Sequence, residues 1–361
     1  MGITKVVCLD MGGTLLDLAE PEVAYAEILE RHGYPSTRDQ ILSWIRTSQV
    51  ESGGEGISLT SDFTISGEVE GTRRKKLISI FLREAGVDKH LEDCREEIWQ
   101  SWLKEPVFRL FPETKSVLAG LKEQGLVLGA ISNWEPRLAQ LCENLGIAGF
   151  FDFFVVSELE GHAKPSVRLF ETALEKAGVE PREVLHVGDD LAKDIEPAEK
   201  VGMRGVLIQR DGSLRRDHSP RISTLRALLP LAQARFWMRG EVVSGKREAA
   251  DFTQLAWVRK QFREEFGFEP YPGTLNLRLE TSEDLTAWAK VRQGPGAVLE
   301  PEPGFCAGRC YPLSVEGQIS AAAVFPSVPS YPEDIVEILS PVALRERLGL
   351  SDGMPVTIVF E

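Results

Sequence analysis

Over about the first 230 residues, short apolar runs alternate with longer amphipathic stretches. The runs are Val6–Leu9, Val127–Ile131, Phe153–Val156, Val184–Val187 and Val206–Ile208, and helical periodicity fills segments such as Leu169–Ala177 and Ile195–Val201. A strand covered on both faces reads as a continuous apolar run, and the helix covering it reads with a period of about 3.6 residues. The alternation therefore predicts an α/β domain built on a Rossmann-like parallel sheet. Residues from about 18 to 107 break the rhythm. They look helical and include a polar, Gly-rich stretch, Glu51–Gly71, expected as a loop. An insertion there predicts a helical cap above the carboxyl ends of the strands, where α/β sheets place their sites.

The pattern changes near residue 232. Shorter strand candidates follow: Trp237–Val243, Leu275–Leu279, Tyr311–Val315, Ala321–Phe325, Ile335–Leu339 and Val356–Phe360. Pro and Gly clusters punctuate them, and one helix, Leu255–Phe266, interrupts. This half reads as a β-rich barrel. Two domains are expected, 1–232 and 233–361.

Composition narrows the partners. Lys plus Arg is 41 against 55 Asp plus Glu, a formal charge of -14. That balance argues against a nucleic-acid partner, because no cation excess replaces phosphate counterions. It leaves small anionic substrates open. No apolar stretch reaches the length of a membrane span. The five cysteines are scattered and odd in number, which reads as core thiols in a reducing cytoplasm.

Four pieces of the first half point to one chemistry. Asp10, in Cys8-Leu9-Asp10-Met11-Gly12-Gly13-Thr14-Leu15, follows a strand and precedes two glycines, so backbone N–H groups beside its carboxylate can face an anion. Ser132, in Ile131-Ser132-Asn133, also ends a strand and offers a hydroxyl to a phosphate oxygen. Lys164, before Pro165, offers an ammonium to the same anion. Asp189 and Asp190 follow a strand, with Asp194 beyond, and hard carboxylate oxygens suit magnesium. A carboxylate attacks phosphorus only when the repulsion between them is cancelled, which the ammonium and the metal would do.

As a set, these pieces resemble the haloacid dehalogenase superfamily of phosphohydrolases over residues 4–230. The resemblance implies Asp10 as nucleophile, Ser132 and Lys164 as phosphate ligands, and Asp189 as a Mg2+ ligand supported by Asp194. It also implies a carboxylate oxygen of Asp10 and the carbonyl of Gly12 on the metal. One position departs. Phosphatases of the family carry an acid–base Asp two residues after the nucleophile, where this chain has Gly12. Such help is typically worth about 10²–10⁴ in rate. A slow phosphatase, one restricted to good leaving groups, or an inactive one follows. Asp17 is a candidate substitute, although its place suggests the start of the cap linker. A metal-free dehalogenase is the other reading, against which Asp189 and Asp190 speak.

In the second half the densest segment is Phe266-Gly267-Phe268-Glu269-Pro270-Tyr271-Pro272-Gly273-Thr274-Leu275-Asn276-Leu277-Arg278-Leu279. Side chains two apart on a strand share a face, so Thr274 and Asn276 point one way and the leucines the other. Two neutral oxygens side by side could complete a magnesium shell around nucleotide phosphates, or simply form the outer face of an amphipathic strand. Gly240–Lys246 is a strand running into a Ser244-Gly245 turn. Tyr331–Ile338 is followed by Pro341–Arg345 and by Asp352-Gly353.

Together these resemble the CTP-dependent riboflavin kinases, cradle-loop β-barrels, over residues 235–361. The resemblance implies Thr274 and Asn276 as Mg2+ ligands, and Ser244, Gly245, Lys246 and Gly273 near the nucleotide. It implies Glu337 near the flavin or its ribityl chain. The reaction implied is transfer of the CTP γ-phosphate to riboflavin, giving FMN. Two further glycines expected in the turn are Arg247 and Ala249 here, and a Cβ there hinders close approach of backbone to phosphate. Val328, Pro329 and Ser330 stand where the family tends to have a basic residue, Thr and His.

The expected protein is a bifunctional enzyme acting on flavins. Its partners are CTP, riboflavin or FMN, and a small phosphate ester, with no nucleic acid and no membrane. The alternative is a flavin- or nucleotide-binding regulator with eroded sites.

Overall fold

The structure is a computed structural model that describes residues 4–51, 70–210, 218–245, 249–329 and 331–360. The chain divides into two compact units, Lys5–Gly205 and a second built on Val206–Glu361. Most of the polar stretch at 51–71, together with Lys246 and Arg247, lies outside the described residues.

The first unit opens with strand β1 (Val6–Leu9), whose four residues are all buried. A two-stranded ribbon follows, β2 (Leu16–Leu18) against β3 (Phe108–Leu110), antiparallel with Leu16 opposite Leu110. Among the described residues, four helices lie between the ribbon strands: Pro21–Arg31, Arg38–Glu51, Glu70–Glu84 and Leu91–Ser101. They form the expected cap, entered and left through the ribbon. Its core joins Tyr25 to Phe81, ring centroids 4.8 Å apart, and Trp102 Nε1 donates to Tyr25 Oη at 2.7 Å.

The chain then returns to the sheet through β4 (Val127–Ser132), β5 (Phe153–Val156) and β6 (Val184–Gly188). β1 pairs in parallel with β4 and β6, and β4 with β5. Helix Val167–Ala177 covers one face, packing Leu169, Phe170 and Ala173 against Val6, Cys8, Ile131 and Val184. Both central strands are buried on both faces, which is why β1 reads as an apolar run and β6 as one interrupted only by His186. Asp10, Ser132 and Asp189 consequently emerge at the same, carboxyl edge.

In the second unit β7 (Arg204–Ile208) pairs in parallel with β8 (Arg221–Ile222), Leu207 opposite Arg221. Seven more strands follow: β9 (Phe236–Val243), β10 (Leu275–Leu279), β11 (Ala297–Leu299), β12 (Gly308–Val315), β13 (Ile319–Pro326), β14 (Ile335–Leu339) and β15 (Pro355–Phe360). β12-β13-β14-β10-β9-β15 run antiparallel in that order, and β15 pairs back onto β12, closing a six-stranded barrel. Leu275, Leu277 and Leu279 point into the barrel core with Val336, Ile338 and Ile358. Helix Ala256–Phe266 covers an outer face, setting Trp257, Val258 and Phe262 on Val324 and Leu339.

Ala249–Thr253, Ser282–Gln293 and Leu344–Arg347 are helices that the sequence pattern does not predict. Ser282–Gln293 buries Trp288 completely in the barrel core, against Phe360 and Tyr311. Its polar residues at the start and its modest amphipathic contrast hide it, since a single large indole supplies most of its anchor. Segment 218–231 is also built into this unit. Glu316, in the β12–β13 turn with φ 53°, is fully buried and accepts from Ser219 Oγ at 2.6 Å and from Thr357 N at 3.0 Å. It accepts the N–H of Arg221 as well.

Candidate functional site

In the first unit Asp10, Asp189 and Asp194 come together, each offering an oxygen within 4.8 Å of the others. Asp10 is locked to the sheet by its N–H, which donates to Val187 O at 2.9 Å. Ser132 Oγ donates to Asp10 Oδ1 at 3.1 Å. Lys164 Nζ bridges Asp10 Oδ1 and Asp194 Oδ1 at 2.5 Å each. Asn133 holds the lysine backbone from both sides, accepting its N–H at 2.7 Å and donating to its carbonyl at 3.1 Å. Residues 10, 132, 164, 189 and 194 thus meet at one point.

The turn geometry explains the glycines. Gly13 has φ 70°, and a Cβ on it would fall 2.2 Å from Asp189 Oδ2. A Cβ on Gly188 would fall 2.3 Å from Asp194 Cγ. Asp190 has a different job from Asp189. It caps the wide helical turn Leu191–Ile195, accepting from Ala192 N at 2.9 Å and Lys193 N at 3.0 Å. Asp17 lies on β2 opposite Arg109 and accepts the N–H of Leu18 at 2.8 Å, so its carboxylate is engaged in the ribbon.

Three carboxylates face one ammonium here. Burial pushes Asp10 up to about 6, with Lys164 pulling the other way. Burial, and then the charges of Asp10 and Asp194, push Asp189 up to about 8. Burial would also raise Asp194, but Lys164 and His186 beside it hold it well below the usual carboxylate range. Burial would lower Lys164, yet its two carboxylate neighbours lift it above the ordinary lysine value. The surplus negative charge and the hard oxygen donors fit a divalent cation of the magnesium type.

In the barrel unit the ladder makes Asn276 a junction. It pairs with Val243 on β9, just before the Ser244-Gly245 turn, and with Glu337 on β14. Thr274 Oγ1 donates to Asn276 Oδ1 at 3.0 Å. A Cβ on Gly245 would fall 2.1 Å from Asn276 Nδ2, so the turn lies directly on the amide. Asn276 is only 8% exposed, which removes the reading of this face as a plain solvated one. Burial raises the Glu337 carboxyl, with the Tyr331 hydroxyl working against it. Gly273 takes φ 113°, and its N–H donates to Thr253 Oγ1 at 3.1 Å.

A cavity of about 220 Å³ opens beside Thr274, walled by Tyr271, Gly273, Ser340, Leu344 and Arg345. Arg345 donates to Val243 O at 3.0 Å and pairs with Asp352 at 2.7 Å. Asp352 in turn accepts from Ser244 Oγ at 2.6 Å. The cavity and this clamp were not singled out in the sequence; the Pro341–Arg345 and Asp352-Gly353 segments were the signal.

Comparison with known proteins assigns the same segments. Residues 4–202 match the family model described as haloacid dehalogenase-like hydrolase. Residues 242–360 match the CTP-dependent riboflavin kinase model, described as "Domain of unknown function DUF120". A riboflavin kinase of Methanocella arvoryzae is 41% identical over 125 residues, 34% of this chain and 56% of the relative. That of Archaeoglobus fulgidus is 39% identical over 120 residues, 32% and 51%. Haloacid dehalogenase-like hydrolase domain-containing protein 3 of Bos taurus is 33% identical over 113 residues, 31% and 45%.

The chain thus spans about half the length of the curated relatives it matches. The fold of the putative HAD-hydrolase YfnB from Bacillus subtilis, bound to magnesium, is similar with TM-score 0.51 at 18% identity, covering 64% of this chain and 99% of that one. The acidic cluster lies within the first matched segment and the Asn276 junction within the second. The chain therefore belongs to the haloacid dehalogenase-like hydrolase family and carries a second domain of the CTP-dependent riboflavin kinase family.

Proposed function

We propose that this is a two-headed flavin enzyme: the barrel unit phosphorylates riboflavin from CTP, and the first unit is a magnesium-dependent phosphatase of a small phosphate ester, FMN or the ribitylaminopyrimidine phosphate intermediate of riboflavin synthesis. The observation that carries the kinase reading is the junction at Asn276. Ladder pairing brings the Ser244-Gly245 turn, Thr274 and Glu337 to one rim, although they span more than ninety positions of sequence.

In the barrel unit, the oxygens of Thr274 and Asn276 are the proposed Mg2+ ligands. A magnesium ion held there would neutralise charge on the nucleotide phosphates. Gly245, lacking a Cβ, lets the turn approach them, with Lys246 adding charge from the adjoining segment. The cavity wall with Tyr271 and Arg345 receives the nucleoside, and Glu337 accepts hydroxyl hydrogen bonds from the ribityl chain. The 5′-hydroxyl oxygen of riboflavin forms its bond to the γ-phosphorus and releases its proton to solvent as the bond to the β-phosphate oxygen breaks, releasing CDP. Such transfer depends chiefly on positioning and charge neutralisation.

In the first unit, Asp10, Gly12 and Asp189 are the proposed metal ligands, with Asp194 in support. An oxygen of Asp10 attacks phosphorus and the ester oxygen leaves; water then hydrolyses the aspartyl phosphate. Ser132 and Lys164 hold the phosphoryl oxygens in line. Gly12 supplies no proton to the leaving group, which favours esters whose leaving oxygen needs none. The same gap supports a second reading, in which this unit binds its ester and turns it over slowly.

The test is FMN formation from riboflavin with CTP and Mg2+, followed by chromatography, with ATP as the parallel donor. FMN appearing with CTP supports the kinase. No FMN with any donor, from protein that still binds riboflavin, overturns it in favour of a regulatory role. Phosphate release from FMN and from p-nitrophenyl phosphate, with and without Mg2+, tests the first unit.

A further inference from the structure

His186 occupies the middle of β6 among Val184, Leu185 and Val187, with no solvent exposure. Its ring meets Phe170 edge-on, centroids 5.1 Å apart. Among the described residues neither ring nitrogen has a hydrogen-bond partner. An apolar side chain would fill this place without leaving buried polar atoms unsatisfied, and such orphans are rare in native cores. Nε2 stops 3.6 Å from Oδ1 of Asp194, too far for a hydrogen bond.

That same oxygen is held by Lys164 Nζ at 2.5 Å, and the lysine also holds Asp10 Oδ1 at 2.5 Å. The other oxygen of Asp194 accepts the N–H of Asp190 at 3.1 Å. A phosphoryl group arriving at Asp10 competes for the ammonium. Whatever share of Lys164 it takes is lost to Asp194 Oδ1, a fully buried carboxylate oxygen.

We propose that His186 is a positioning residue held in reserve. As a neutral ring protonated on Nε2, it closes from 3.6 Å to an ordinary N–H···O distance of about 2.9 Å and donates to Asp194 when a bound phosphoryl group draws Lys164 away. Asp194 then keeps its orientation through the reaction cycle. The inference rests on the phosphatase reading of the first unit.

The test uses the full chain labelled with 15N-histidine, the His186 signals being assigned by difference from a His186→Leu protein. The probe is beryllium fluoride, a phosphoryl analogue for aspartate, with Mg2+. Saturation should shift the His186 Nε2–H resonance in the direction of a stronger hydrogen bond. His186→Leu should fold with an unchanged or higher melting temperature yet bind beryllium fluoride about tenfold more weakly, the worth of one hydrogen bond to a charged group. His186→Gln, which retains a donor, should recover part of that loss. An unmoved resonance at saturation, or wild-type affinity in His186→Leu, makes His186 a core residue only and overturns the proposal. Failure of the wild-type protein itself to bind the probe overturns the phosphatase reading, and the proposal with it.

Discussion

Gly13 and Asp189 lie so close that a single added methyl group would stand 2.2 Å from the carboxylate oxygen. The turn after β1 and the loop after β6 are therefore built against each other, and the absence of a Cβ at position 13 lets Asp189 approach Asp10. Gly13→Ala adds the clash and a left-handed penalty at φ 70°. We expect it to cost about 1–3 kcal/mol. It should also displace Asp189 and weaken Mg2+ binding. Denaturant titration and Mg2+-dependent thermal shift read the two effects separately; wild-type Mg2+ dependence in the Ala protein would contradict this geometry.

Gly12→Asp restores the acid the phosphatase chemistry lacks. If Ser132, Lys164 and Asp189 are otherwise in place, turnover of an alkyl phosphate should rise by about 10²–10⁴. An aryl ester with a good leaving group should gain less. Steady-state assays on both esters provide the check, and no gain on either counts against a latent hydrolase.

The pH dependence of the metal-free protein has a defined sign. Asp189, pushed up to about 8 by burial and its carboxylate neighbours, keeps its proton where the unfolded chain has lost it. The native state then binds more protons, so stability falls as pH rises towards 8. Asp10, raised to about 6, acts the same way lower down. His186, lowered by burial, acts in the opposite sense near its unfolded value, about 6.5. The clean window is therefore about pH 7 to 8.5, above the unfolded His value. Melting temperature in EDTA should fall across it, and the gain on adding Mg2+ should grow. A flat profile in EDTA would show that Asp189 is already ionised without metal.

Gly245→Ala places a Cβ 2.1 Å from Asn276 Nδ2. The turn is exposed and the clash falls on the end of the Asn276 side chain, not on backbone, so the melting temperature should fall less than in Gly13→Ala. The KM for CTP and the Mg2+ requirement of the kinase should rise by about tenfold or more, one lost charge-assisted contact. Unchanged KM would mean the turn does not approach the phosphates.

Glu316 holds three donors inside the second unit: Ser219 Oγ, Arg221 N and Thr357 N. Glu316→Ala leaves the N–H groups of Arg221 and Thr357 without this acceptor in a buried place, while Ser219 Oγ keeps Thr357 Oγ1 at 2.7 Å, and should destabilise by about 2–4 kcal/mol. Glu316→Gln keeps acceptor capacity on one atom and should cost less. Chemical denaturation followed by tryptophan fluorescence reports the difference, since Trp288 sits in the same unit's core. Equal losses in the two variants would remove the hydrogen-bonding account.

Much of this molecule was legible along the chain. Buried parallel strands appear as apolar runs because both faces are covered, so β1, β4, β5 and β6 could be placed, and their ends carried Asp10, Ser132 and Asp189. The leucines of β10 alternate because one face meets the barrel core. The helix Ser282–Gln293 was not legible, since one indole at position 288 supplies most of its anchor and no wide apolar stripe forms. His186 could be seen only as a lone polar letter in an apolar strand, without sign of what it faces.

The residue types, their spacing and the strand ends on which they fall were determined by sequence alone, because periodicity and turn chemistry are local. Which of two adjacent carboxylates serves the cluster was decided by tertiary structure. Asp189 reaches Asp10 while Asp190 caps its own turn. The same holds for Asn276, made a junction by pairing with strands far away in sequence. Hydrogen-bond registry and the few tenths of an ångström that separate a glycine from a clash are properties of packed neighbours, and no linear pattern encodes them.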